Sequence, residues 1–347
     1  STCYIPKFIS TSIVVIMMLP LTMSIWHLIR WEDKNKPISL WLSGIFFGIA
    51  CLFKYQAGII IWIVAVYFLL FRPLYLRNSF IPAKKRAFVV YLLGGTLVGG
   101  AFALYITSIG VWNEFVFFSL EGSAAYIEAG IGTTDFIKRL LLRGGSFAAA
   151  TFLVWYFAIR ECGSLVKHIF TNQKHTQNQC EKFLIFFWLG LSFIAVSTGG
   201  RFFGHYFIQL LPPLVILAST QTDKFFVWLE NSSSITKKHQ RAYSLFLAAL
   251  ILPAFLAFGA RVSATHIYKA FGEDHGELYR PIGEYVKANT NPDETIFVWG
   301  FATPIYFFAD RDAASRFLWC DWLTGRVAGS STARERYFET SKFVTKG

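Results

Sequence analysis

The sequence predicts an α-helical polytopic membrane protein of about eight spans with a small C-terminal α/β domain on the extracytoplasmic side. Three observations lead there. Of 347 residues, 54% are hydrophobic and only 16% are charged, more apolar surface than one water-soluble core can bury. The apolar residues gather in uncharged windows near the length that a hydrocarbon layer of about 30 Å demands of a helix. Lys and Arg crowd into alternate loops, as they do where short loops stay cytoplasmic.

In chain order the windows fall at 8–29, 38–53, 57–71, 87–106, 146–159, 183–198, 206–219 and 242–260. One set of connecting loops holds Arg30, Lys34 and Lys36, then Arg72, Arg77, Lys84, Lys85 and Arg86, then Arg160, Lys167, Lys174 and Lys182, then Lys224, Lys237, Lys238 and Arg241. Before residue 261 the opposite side has Lys7, Lys54, Lys138, Arg139, Arg143 and Arg201. Residues 1–260 therefore form the transmembrane region, with an outer-face loop at 107–145, and 261–347 lie outside the cytoplasm. The net charge of +12 is largely this topology signal, and cations spread over short loops do not make a nucleic-acid face. The predicted location is the plasma (inner) membrane.

Gly44 and Gly48, and again Gly95 and Gly99, have the spacing that lets membrane helices approach closely. In the outer loop, a stretch beginning at Thr133 or Thr134 reads as an interfacial helix that Gly144-Gly145 stops. Asp135, Arg139 and Arg143 share one of its faces, while Phe136, Leu140 and Leu141 point elsewhere. An earlier stretch with Trp112, Phe115, Val116 and Phe118 is expected to face lipid. The tail reads as a helix over 281–289, a strand at 295–299 closed by Gly300, and a short helix at 303–308, with a loose end after Gly325. Cys3, Cys51, Cys162, Cys180 and Cys320 show no ligand spacing, so neither a metal nor a cofactor is expected.

Three places on the outer side carry cations with chemistry to offer. Arg139 and Arg143 either touch lipid head groups or point inward at a substrate phosphate, whose oxygens match a guanidinium fork. Lys54, in Leu52-Phe53-Lys54-Tyr55-Gln56, either snorkels to stabilise a hairpin or meets an anion. The phrase Gly199-Gly200-Arg201-Phe202-Phe203-Gly204-His205-Tyr206-Phe207 puts Arg201, His205 and Gln209 on one helical face, ahead of Pro212-Pro213. A phosphate-bearing lipid is an economical ligand for all three places.

Taken in order, Leu52-Phe53-Lys54-Tyr55-Gln56, Gly200-Arg201-Phe202-Phe203, His205-Tyr206, Leu211-Pro212-Pro213, Val298-Trp299-Gly300, Ala309-Asp310-Arg311 and Ser315-Arg316-Phe317 resemble a known family. It is the GT-C glycosyltransferases of the dolichyl-phosphate-mannose protein mannosyltransferase and aminoarabinose transferase type, in their bacterial, family 39-like branch. The resemblance runs over about 17–318. It implies transfer of a sugar from a polyprenyl-phosphate carrier to an extracytoplasmic lipid, glycan or protein acceptor, amid membrane lipids and without nucleic acid. The candidate substrate-binding residues are then Lys54, Gln56, Arg139, Arg143, Arg201, His205 and Tyr206.

The family places its catalytic Asp in the first outer loop, whereas this sequence has no acidic residue before Glu32. The expectation is that these 347 residues are a fragment lacking the first span or spans and the base. No catalytic residue is assigned, and Glu114, Glu121, Glu128 and Asp135 are expected to be structural or to touch the acceptor. A polytopic lipid or glycan transporter or flippase and a noncatalytic relative are the competing classes. A transporter would carry ionisable groups or broken helices near the midplane.

Overall fold

The computed structural model describes residues 13–34, 36–67, 84–121, 123–124, 127, 132–170, 177–231, 241, 244–246, 248–249, 252, 256, 275–300, 302–318 and 320. Two compact units emerge, one of Ser1–Trp112 with Thr133–Ala257 and the other of Asn113–Gly132 with Phe258–Gly347.

The first unit is helical throughout its described residues. Helix α1 is Ile13–Lys34, α2 is Pro37–Phe53, α3 is Ile60–Val66 and α4 is Lys84–Ser108. A helix with a π-type turn, α5, spans Thr133–Ala150, followed by α6 at Phe152–Phe170, α7 at Gln177–Ser197 and α8 at Leu211–Asn231. Among the described residues, Ile13–Glu32, Arg86–Ser108 and Gln179–Gly200 are long and apolar enough to cross a membrane, with a fourth crossing if the bent pair Thr133–Ala150 and Phe152–His168 is one span. The chain is therefore a helical, multi-pass membrane protein.

The expected spans differ from the observed helices in instructive ways. The span at 38–53 appears as Pro37–Phe53, the one at 57–71 lies within the described residues only as far as Tyr67, and 242–260 falls largely outside them. The window at 206–219 opens instead as a 3-10 turn, Gly204–Leu210, before α8 runs on to Asn231. Pro212 and Pro213 occupy the first turn of α8, where a missing N–H costs nothing because that group has no helical partner. Gly144-Gly145 does not stop α5, since both residues keep right-handed helical dihedrals. The break comes at Thr151 (φ −120°, ψ 26°), where the chain bends by 94° into α6, so 146–159 is not one straight helix.

Close packing starts from small residues. Helix α2 lies between α1 and α4. A Cβ on Gly44 would collide with the Tyr91 carbonyl, and one on Gly94 with the Trp41 carbonyl. Gly48 would come within 2.9 Å of Val98 Cβ, while Gly99 faces open space, so Gly94 and Gly95 supply the partner surface rather than Gly99. Ser43 Oγ donates to the Ser24 carbonyl at 2.6 Å, a buried bond between α1 and α2. Gly44→Val is expected to force α2 and α4 apart and to abolish accumulation of folded protein, because backbone cannot yield as a side chain does. Fluorescence-detected size exclusion of the variant beside wild type checks this; an unchanged peak would refute it.

In the second unit, α9 is His275–Asn289, beginning six residues before the expected 281, and α10 is Pro304–Ala309, within one residue of the expected 303–308. Gly283 lets the two meet, since a Cβ there would strike Phe308 Cβ. The Arg311 guanidinium donates to the carbonyls of Lys287 (3.1 Å), Thr290, Ala309 and Asp310 and to Thr290 Oγ1 (3.0 Å), so it closes the C-terminal end of α9. Asp310 (φ 52°) ends α10 and pairs with Lys287 at 3.0 Å.

The strand expected at 295–299 is reduced to one parallel bridge between Ile296 and Ala313; no strand forms among the described residues. Among the described residues its backbone pairs with backbone only at 312 and 314, while the Val298 N–H goes to the Tyr306 hydroxyl, which is too little for a ladder. Phe118 packs its ring on Phe317 at 5.9 Å instead of facing lipid alone.

Candidate functional site

The 198–206 segment is shaped by backbone that glycine permits. Gly199 and Gly200 take positive φ, 74° and 62°, at the end of α7, so the chain turns sharply out of the helix. Phe202 also has φ 48°, a left-handed conformation that costs a side-chain-bearing residue about 1–2 kcal/mol. Its ring is fully buried against Phe136 of α5 (4.9 Å) and Phe207 (6.2 Å), and that burial offsets the strain.

With Phe202 pinned, Arg201 and Phe203 are held on either side of it. Arg143 Nη1 donates to the Arg201 carbonyl at 2.7 Å, and its guanidinium lies 5.5 Å from the Phe203 ring centre. Phe203 stacks on His205 at 5.9 Å, and His205 meets Tyr206 edge-on at 4.6 Å. Tyr206 in turn carries Lys54, whose Nζ stands 4.0 Å over its ring centre.

Lys54 occupies the extended break (φ −157°, ψ 116°) between α2 and the 3-10 turn Tyr55–Ile59. It is half-buried and forms no ion pair among the described residues. Burial pulls its ammonium down from the ordinary 10.5 to about 8.

The structure thus joins Lys54, Tyr206, His205, Arg143 and the Arg201 backbone through one chain of contacts. The Arg201 side chain is buried at 7% exposure, and Gln56 sits two residues from Lys54 with its Oε1 buried. Arg139 is half-buried on α5, without a hydrogen bond or ion pair among the described residues. Arg201, His205 and Gln209 do not share a helical face, because Arg201 precedes the 3-10 turn and three residues per turn replace 3.6. A hollow of about 500 Å³ lies elsewhere on α5, lined by Thr133, Thr134, Ile137, Lys138, Leu141 and Leu142, and none of the candidate residues borders it.

A second polar cluster escapes sequence reasoning. Glu161 of α6, buried at 2% exposure, accepts from Lys182 of α7 at 2.9 Å and from Gln221 and Lys224 of α8, the latter at 3.3 Å. Lys182 and the Gly199 turn stand near opposite ends of α7, about 26 Å apart at 1.5 Å per residue. Among the described residues no group of His, Cys, Asp and Glu is placed to hold a metal ion. No family model, curated protein or solved structure matches the chain.

Proposed function

We propose that this chain is a membrane glycosyltransferase of GT-C type, moving a sugar from a polyprenyl-phosphate carrier to an acceptor outside the cytoplasm. The observation that carries the reading is Lys54: an ammonium partly withdrawn from water, over an aromatic face, with no carboxylate beside it among the described residues. A cation in that state gains most from an anion that arrives with the substrate. Arg143, holding the Arg201 loop against Phe203, adds fixed positive charge to the same neighbourhood.

In the reaction the glycosidic bond to the carrier phosphate breaks, the phosphate keeps the electron pair, and the acceptor oxygen bonds the sugar carbon. The acceptor proton passes to a carboxylate base outside this cationic set. Charge grows on the leaving phosphate as the bond breaks, so preplaced cations stabilise the transition state more than the bound donor. The topology that fits is a plasma (inner) membrane bundle of about eight spans, with the cationic set and the C-terminal unit extracytoplasmic. The distance of about 26 Å between the Glu161 cluster and the Gly199 turn supports placing them at opposite faces.

Membranes containing the full-length protein, given carrier with a labelled sugar, provide the test. Loss of label from the carrier to acceptor is the expected result. Intact carrier moved across the bilayer would identify a flippase, and an unchanged, unmoved carrier a noncatalytic relative.

A further inference from the structure

Gln209 is 3% exposed, in the apolar packing around the Gly204–Leu210 turn, and its Nε2 has no hydrogen-bond partner among the described residues. An amide donor buried without a partner costs stability, so its presence calls for an acceptor that comes and goes. In a 3-10 turn, residues i and i+3 eclipse one another. Gln209 therefore falls one turn on from Tyr206 along the same side of the turn, and the Tyr206 ring carries Lys54 Nζ at 4.0 Å.

Gln56, beside Lys54 in the other 3-10 turn, has its Oε1 buried and likewise without a partner among the described residues. Both turns pack against α7. An ammonium, an amide donor and an amide acceptor are thus each short of a partner around one pair of turns. A ligand bearing phosphoryl oxygens and a hydroxyl satisfies all three.

We infer that Gln209 is a positioning residue for the anionic head group at Lys54, its N–H2 donating to a phosphoryl oxygen. The inference rests on the reading of Lys54 as the phosphate-holding cation. Its one bond fixes the rotation of the phosphate about the Lys54 contact, which a spherical ammonium cannot do.

The test uses the full chain in lipid nanodiscs, with a short prenyl phosphate and the prenyl alcohol of equal length as probes. Gln209→Met, the closest apolar match in shape, is expected to bind the phosphate about tenfold more weakly and the alcohol equally well. Its thermal midpoint without ligand should equal or exceed that of wild type, because an unpaired buried donor has gone. Gln209→Leu repeats the measurement should the methionine variant fold poorly.

Unchanged phosphate affinity would overturn the inference, as would a joint fall of midpoint and of both affinities, the mark of a packing role. Lys54→Met separates the two levels. Weak phosphate binding there with normal Gln209→Met sinks only this inference, and normal binding in Lys54→Met sinks the cationic site and the inference together.

Discussion

Lys54→Met is expected to lower sugar transfer by about 100-fold or more, the scale of losing one preorganised charge donor at a leaving group. The loss should appear in the rate constant as well as in carrier affinity, because phosphate charge is greatest in the transition state. The folded protein should survive the change. Burial disfavours the charged form of Lys54, so below pH 8 the folded state carries a desolvation cost that methionine lacks.

The pH dependence has a definite sign. With its folded value near 8 and the ordinary value at 10.5, Lys54 loses its proton in the native state first, and native stability rises with pH between the two. Affinity for an anion moves the other way, falling as pH climbs through about 8. Lys54→Arg should bind without that fall, since guanidinium stays charged. Calorimetric titration of prenyl phosphate from pH 6.5 to 9.5 checks both; a flat wild-type profile, or normal transfer by Lys54→Met, refutes the assignment.

Much of the helical frame was legible because lipid imposes a simple rule. Uncharged windows at 38–53 and 87–106 appear as α2 and α4 within a few residues, and Gly44 and Gly48 sit where two backbones meet. Lys54 stood out because a cation between two apolar runs has no place in hydrocarbon. Three features did not show. Gly144-Gly145 reads as a stop in water, yet a helix in apolar surroundings keeps its backbone bonds because no water competes for them, and an ideal Cβ on Gly144 would lie 3.5 Å from the Phe207 ring.

The choice of 3-10 over α at 204–210 changes which positions line up along the turn, so Tyr206 and Gln209 fall on one side and Arg201 is left outside. No periodicity in so short a segment distinguishes the two. Glu161 is hidden for another reason: its partners Lys182, Gln221 and Lys224 lie 21, 60 and 63 residues away, and only folding brings them together.

Glu161→Ala is expected to destabilise the bundle by about 3 kcal/mol, the cost of leaving a buried charge without its partner. The burden falls on Lys182, whose side chain is 22% exposed, more than on Lys224, which at 57% can turn to water. Replacing both members, Glu161→Leu with Lys182→Leu, should recover most of the loss, because two apolar side chains need neither charge nor partner. Thermal midpoints of wild type, both single variants and the double variant in one detergent give the coupling directly. Additive losses would show that the pair does not hold α6, α7 and α8 together.

A clasp at one end of α7 also bears on the other end. The Gly199 turn leaves α7 at a position fixed by how that helix is seated, and Arg201, Phe203 and Tyr206 follow from it. Glu161→Ala should therefore weaken prenyl phosphate binding by a few-fold, with the pH profile of Lys54 unchanged in shape, since the charge that titrates is intact and only its placement has loosened.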